Sequence, residues 1–215
     1  WCARQVSTRY KDRADSIAKV SDLLAVMAAA QPGHYLVFFP SYSYLQQVWE
    51  DFTARYPDQP TLCQESTMDE GQRTEFLAQF LARDGKPLLG FAVLGGVFGE
   101  GVDLTGESLI GVAVVSPGLP QIGPRQEQLR DYFEETRGAG FDYAYRYPGM
   151  NKVLQAAGRV IRTPQDRGVV LLIDDRFLAP DTRRLMPPHW EHLRVVDSAD
   201  AWKDELAAFW KKHEP

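Results

Sequence analysis

The segment Gln155-Ala-Ala-Gly-Arg-Val-Ile-Arg162 carries an amide and two guanidinium groups at intervals of four and then three residues. On a helix of 3.6 residues per turn, Gln155, Arg159 and Arg162 share one face, while Leu154, Ala157 and Ile161 form the opposite face, expected to pack on a sheet. Two guanidiniums side by side repel each other unless an anion lies between them. Arginine suits that anion when it is a polyphosphate, because its planar fork stays charged and binds phosphate oxygens in pairs. An arginine held against a γ-phosphoryl group stabilises the charge that develops there, an effect of roughly 10³–10⁵ in rate. Gly158 costs the helix about 1 kcal/mol relative to alanine and leaves the polar face uncrowded.

About fifty residues upstream lies Gly95-Gly-Val-Phe-Gly-Glu-Gly-Val-Asp-Leu-Thr-Gly106, directly after an apolar stretch. Ligands of open α/β sheets sit at the carboxyl ends of strands, where this turn is expected. Its glycines permit positive φ and close backbone approach. Glu100 or Asp103 could orient a water, touch a ribose hydroxyl or pair with Arg159 or Arg162. Nowhere does the chain read G-x-x-x-x-G-K-[ST], so it has no P-loop to hold the phosphates from the other side.

The elements that must position these groups are legible in hydrophobic spacing. Ile17, Val20, Leu23, Leu24 and Met27 recur at helical intervals, and Pro32-Gly33 ends that helix. Tyr35–Phe39 is a continuous apolar run, suited to a strand covered on both faces. Ser41 is placed to N-cap a helix carrying Leu45, Val48, Trp49 and Phe52. Residues 61–65 form a short strand. Thr67-x-x-Glu70 reads as a capping box for a helix with Phe76, Leu77, Phe80 and Leu81 on its stripe. Strands are expected at 88–94, 109–115 and 169–173, with a short one at 193–196. Helices are expected at 122–138 and 199–212. Strands alternating with helices indicate an α/β fold: a doubly wound, mostly parallel sheet with helices on both faces. The whole of 1–215 reads as one domain, with residues 117–150 an elaboration inside it.

Composition narrows the function classes. The chain has 215 residues, 44% of them hydrophobic, enough for one well-buried α/β domain. Its formal net charge is −5, which does not fit a protein wrapped in nucleic acid through a basic surface. Any such contact must be local. Two cysteines, Cys2 and Cys63, make neither a disulfide scaffold nor a four-thiolate cluster. No apolar run approaches the roughly 18 residues of a membrane span, so no membrane partner and a cytoplasmic location are expected. The opening Trp1-Cys-Ala-Arg fits a piece of a longer polypeptide.

Taken together, Gly99-Glu-Gly-Val-Asp-Leu104, Leu109-Ile-Gly-Val112 and Gln155-Ala-Ala-Gly-Arg-Val-Ile-Arg162 resemble motifs V and VI of superfamily 2 helicases. The continuation Asp166-Arg-Gly-Val-Val-Leu-Leu-Ile-Asp-Asp-Arg-Phe177 narrows the resemblance to the XPD/DinG type, and Phe38-Phe-Pro-Ser-Tyr42 resembles that family's motif IV. The resemblance covers roughly residues 35–180. It implies a RecA-like second motor domain of an ATP-dependent, 5′-to-3′ DNA helicase acting in repair or replication. Arg162 would be the arginine finger, with Arg159 beside it. Gln155, Glu100, Gly101 and Asp103 would lie at the ATP cleft. Ser41 and Tyr42, at a helix start, would contact the DNA backbone, and Ser66 and Thr67 could do likewise. ATP with Mg²⁺ would be held mainly by an N-terminal P-loop motor domain of the same polypeptide, which is the expected partner together with single-stranded DNA. Relatives often carry a four-cysteine iron–sulfur cluster in that first domain, so any cluster would lie there and not in this chain. Alone, the chain is expected to lack turnover. In motif V, Gly99 stands where many relatives have a larger or hydroxyl-bearing residue. The rival reading is a RecA-like module that senses nucleotide or binds a protein without separating strands.

Other groups carry weaker signals. His189-x-x-His192 has a metal-compatible spacing but no third ligand. Asp174-Asp175 could hold Mg²⁺ or cap the following turn. Phe141, Tyr143, Tyr145 and Tyr147 could stack on bases, form a half-buried strand or pack locally. Arg125, Arg130 and Arg137 are expected on a solvated helix face, the best local alternative for a DNA track.

Overall fold

The computed structural model describes residues 1–82, 87–96, 98, 109–161 and 166–213. Its strands are β1 (Cys2–Ala3), β2 (His34–Phe39), β3 (Thr61–Cys63), β4 (Leu88–Val93), β5 (Gly111–Val115), β6 (Val169–Ile173) and β7 (Val195–Val196). The helices are α1 (Arg13–Ala30), α2 (Tyr42–Arg55), α3 (Glu70–Leu81), α4 (Pro124–Arg137), α5 (Tyr147–Ala157), α6 (Pro180–Arg183) and α7 (Ala199–Lys212). The strands form one sheet in the order β3-β4-β2-β5-β6-β1-β7, and every pairing is parallel.

Side-chain alternation divides the core in two. Tyr35, Val37 and Phe39 of β2, with Phe91, Ala113 and Leu171, face a layer made by α1, α2 and α7, where Leu23, Leu24, Val48, Phe52 and Trp202 are buried. Leu36 and Phe38, with Ala92, Val112 and Leu172, face α3 and α5 through Phe76, Phe80, Met150 and Val153. All six residues of β2 are buried, as its unbroken apolar run requires of a central parallel strand.

Local start signals act as the sequence suggests in one case and differently in another. Ser41 caps α2, its Oγ accepting the Tyr44 N–H at 3.4 Å. At α3 the reciprocal box is Asp69 with Gln72, not Thr67 with Glu70. Asp69 Oδ1 accepts the Gln72 N–H at 2.8 Å, and the Asp69 N–H donates to Gln72 Oε1 at 2.9 Å. A carboxylate two residues nearer the apolar stripe displaces the threonine.

Residues 117–150, expected to be an elaboration, hold a helical hairpin of α4 and the start of α5. α4 has no buried residue and ends at Gly138, whose φ of +61° fits a glycine C-cap. The aromatic stretch after it is not a strand. Residues Asp142–Arg146 form one π-helical turn that runs directly into α5. This turn is braced on α4: Gln126 Nε2 donates to the Ala144 carbonyl at 2.6 Å, the Tyr145 hydroxyl donates to Glu127, and the rings of Phe133 and Tyr143 stack at 4.3 Å. Arg130 pairs with Glu127 and Asp131, and Arg137 lies over Tyr143, so two of the three arginines expected to be solvated are engaged within the hairpin.

Candidate functional site

The parallel sheet has two edges, and α5 runs between them. Its first turn lies against the carboxyl end of β5: a Cβ at Gly149 would stand 2.6 Å from the Pro117 carbonyl, so only glycine fits. Its far end lies at the amino edge, where Val160 packs on Gly168 and a Cβ at Gly168 would stand 2.7 Å from the Ile110 carbonyl.

At the amino edge the structure corrects the geometry of the arginine segment. The α-helix stops at Ala157. Gly158, Arg159 and Val160 form a tight turn, with the Arg159 N–H donating to Ala156 O and the Val160 N–H to Ala157 O, both at 3.3 Å. Gln155 is therefore on the last helical turn and exposed, while Arg159 is half-buried just beyond it. The buried side of α5 is Met150, Val153, Ala156 and Ala157, continued by Val160. Ile161, expected to pack on the sheet, is 49% exposed. With Leu154, Gly158, Trp190, Leu193 and Phe209 it lines a groove of about 1020 Å³. Gly158 breaks the helical register, which is why a strict 3.6-residue count misplaces Arg159 and Ile161. Arg162, Glu100, Gly101 and Asp103 lie outside the described residues. The described flanks of the glycine–acid segment, Gly96 and Leu109, stand at opposite edges of the sheet, after β4 and before β5.

The expected hydroxyls share the carboxyl edge. Ser41 and Tyr42 come after β2, and Ser66 and Thr67, both exposed, come after β3. A residue not singled out by the sequence, Gln64, joins these segments. It is 4% exposed, its Oε1 accepts the Val93 N–H at 2.8 Å and its Nε2 donates to the Tyr42 hydroxyl at 3.0 Å. One buried amide thus fixes the ends of β2, β3 and β4 relative to one another, and no periodicity could have marked it. Lys152 of α5 was also missed, although it stands three residues before Gln155, about one turn along the same helix. Its side chain lies over Gly95, whose φ is +74° and where a Cβ would stand 2.9 Å from Lys152 Cε and 3.2 Å from Nζ.

Farther along the same edge, Asp174 is wholly buried and serves structure. Its carboxylate accepts from Arg176 Nε at 2.7 Å, Arg176 Nη2 at 2.9 Å, the Arg176 N–H at 2.8 Å, the Thr8 N–H at 2.9 Å and the Thr8 hydroxyl. Burial pushes this carboxyl up, but the hydrogen bonds and charge of Arg176, aided by Thr8, outweigh it and hold the group below the usual carboxylate range. Arg176 also reaches the Ser116 hydroxyl at 3.4 Å, and Ser116 has a φ of +82°, strained for a non-glycine residue. Asp175 pairs with Arg9 at 2.6 Å. The acidic pair is thus spent on capping and cross-bracing rather than on holding Mg²⁺.

Among the described residues no three or more His, Cys, Asp or Glu side chains cluster as a metal site, and His189 lies on a single 3₁₀ turn, Pro188–Trp190. Cys2 and Cys63 stand on β1 and β3, at distant positions of the sheet order, so they do not fit a shared iron–sulfur cluster. Burial raises both thiols to about 12. No described helix is long and apolar enough to cross a membrane.

Comparison with known proteins agrees with this architecture. The family model described as "Helicase C-terminal domain" matches residues 24–193. Regulator of telomere elongation helicase 1 from Bos taurus is 31% identical over 94% of the chain, and the ATP-dependent DNA helicase chl-1 of Caenorhabditis elegans is 30% identical over 71%. The aligned region is 18% and 19% of those relatives, so the chain spans about a fifth of their length. A solved XPD helicase structure superposes with a TM-score of 0.72 over 91% of this chain and 34% of its own, at 18% identity. The C-terminal domain of the DEAD-box protein Dbp5 superposes with a TM-score of 0.55 over 98% of this chain and 94% of its own, at 13% identity. A parallel RecA-like sheet, a helix ending in the Gln–Gly–Arg segment and a family match across most of its length together make this chain a member of the helicase C-terminal domain family, of the XPD/DinG type.

Proposed function

We propose that this chain is the second motor domain of an ATP-dependent, 5′-to-3′ DNA helicase, completing an ATP site whose P-loop half lies elsewhere in the same polypeptide. The observation that carries this reading is the position of α5: one end meets the hydroxyl-lined carboxyl edge, and the other presents Gln155 and Arg159 at the amino edge. Arg162 is the arginine finger, and Arg159 supports it against the γ-phosphoryl group, where fixed positive charge lowers the barrier to phosphoryl transfer. Gln155 links the nucleotide to the neighbouring domain. Glu100, Gly101 and Asp103 complete this side of the cleft. Mg²⁺ and most of the triphosphate are bound by the P-loop domain, so this chain alone hydrolyses no ATP.

Ser41, Tyr42, Ser66 and Thr67 contact the backbone of single-stranded DNA. Support comes from their shared position at the ends of β2 and β3, their hydroxyl chemistry and the capped start of α2. This limited contact suits an acidic protein better than a basic groove would. Repair or replication of DNA in the cytoplasm is the setting this reading favours.

The test is single-strand-stimulated ATP hydrolysis by the full-length parent protein, wild type against Arg162→Ala. A fall of at least about 10²-fold with the fold intact is expected. Hydrolysis at the wild-type rate would remove the arginine finger from the reading and favour a nucleotide-sensing or protein-binding module.

A further inference from the structure

We propose that Lys152 grips a backbone phosphate of the single strand at the junction of β4 and α5, extending the track beyond the hydroxyls of β2 and β3. This rests on the second-motor-domain reading above. Three observations point to Lys152. Its stem is laid over Gly95, a positive-φ glycine where any side chain would displace it, so the ammonium group is held at the carboxyl edge. Among the described residues it makes no ion pair, although the chain carries a net charge of −5.

The third observation is continuity. A Cβ at Gly96 would stand 3.7 Å from Gln64 Nε2, and the same Nε2 donates to the Tyr42 hydroxyl at 3.0 Å. Tyr42, Gln64, the Gly95-Gly96 turn and Lys152 therefore form an unbroken line across the ends of β2, β3 and β4 to α5. A point charge beyond exposed hydroxyls takes a phosphate without reading bases. Lys152 also stands one helical turn before Gln155, so a strand held here pulls on the helix that presents Gln155 and Arg159 at the other edge.

The test uses the full-length parent protein and an oligothymidylate probe, with affinity measured across a salt series. Lys152→Ala is expected to weaken binding about 3- to 10-fold at moderate salt and to reduce the slope of log K against log salt by about 0.7, the share of one phosphate on a single strand. Lys152→Arg is expected to restore the slope. Lys203→Ala, on the exposed side of α7, serves as a control for net charge and is expected to leave the slope unchanged. A Lys152→Ala slope equal to wild type would overturn the proposal even if affinity fell, because a lost packing contact releases no counterions. An equal loss of slope in Lys203→Ala would also overturn it. If the wild-type parent does not bind the oligonucleotide at all, the motor-domain reading fails and the assignment of Lys152 fails with it; binding by wild type with an unaltered Lys152→Ala slope removes the assignment alone.

Discussion

The two edges of the sheet are built differently. The carboxyl edge is finished within this chain. Ser41 caps α2, Gln64 ties Val93 to Tyr42, and Asp174 locks Thr8, Ser116 and Arg176 together. The amino edge ends instead in an exposed amide and a tight turn, with Gln155 on the last helical residues and Arg159 just beyond them. A surface braced by its own hydrogen bonds needs no second body to take shape. Under the proposed function the contrast would make strand binding and nucleotide chemistry separable, joined through α5.

Mutations can break or sharpen that contrast. The largest effect is expected at Asp174. Asp174→Ala leaves the partly buried Arg176 unpaired and removes the acceptor for Thr8, which is expected to cost about 3–5 kcal/mol. Thermal denaturation should show a Tm lowered by roughly 10 °C or more. A drop of only a degree or two would mean that the carboxyl edge is not self-braced.

The same residue gives a pH signature. The Asp174 carboxyl lies below its ordinary value in the folded chain, so its stabilisation is fully present above the unfolded value of about 4. It is lost as the pH falls through the lower folded value. The Tm difference between wild type and Asp174→Asn should therefore shrink as the pH is taken from 7 towards 3, and a constant difference would contradict the proposed cause.

Next comes Gln64→Leu, which leaves the partly buried Val93 N–H without an acceptor and frees the Tyr42 hydroxyl. A loss of about 1–3 kcal/mol in unfolding free energy is expected by denaturant titration. In the parent protein this variant should weaken single-strand binding while leaving Gln155 and Arg159 undisturbed. At the other edge, Gln155→Ala should do the reverse, lowering stimulated ATP hydrolysis with single-strand affinity retained. If each variant damages both activities equally, the edges are not separable.

The smallest effect is chemical. Because burial raises the Cys2 and Cys63 thiols to about 12, alkylation by iodoacetamide at pH 8 should proceed far more slowly than with a free thiol, until denaturant is added. Fast labelling of Cys63 in the folded chain would show that the β3 edge opens.

Much of this molecule could be read before its structure. β2, β4, β6, α1, α2 and α7 announce themselves through unbroken apolar runs, helical spacing or a serine cap, and their burial in the structure accords with those patterns. The Gln155–Arg162 segment stood out through its glutamine, glycine and arginines taken together with the glycine–acid motif upstream. Other features were invisible because nothing local encodes them. β1 is two residues long, too short to show alternation, and exists as a strand only because β6 and β7 pair with it on either side. The π-helical turn at Asp142–Arg146 alternates aromatic and polar residues like a strand. Its geometry was decided by α4, whose Gln126 and Glu127 satisfy it, and by the salt bridges of Asp142 with Arg146 and Arg184.

The sequence by itself determined the fold class, the order of its central elements and the family to which the chain belongs, because period and residue type are local properties. Only the tertiary structure decided where α5 ends, which edge each group occupies, that Gln64 reaches Tyr42 and that Lys152 lies over Gly95. These depend on parallel strands far apart in the chain being brought side by side, and on a glycine turn whose direction is set by what it packs against.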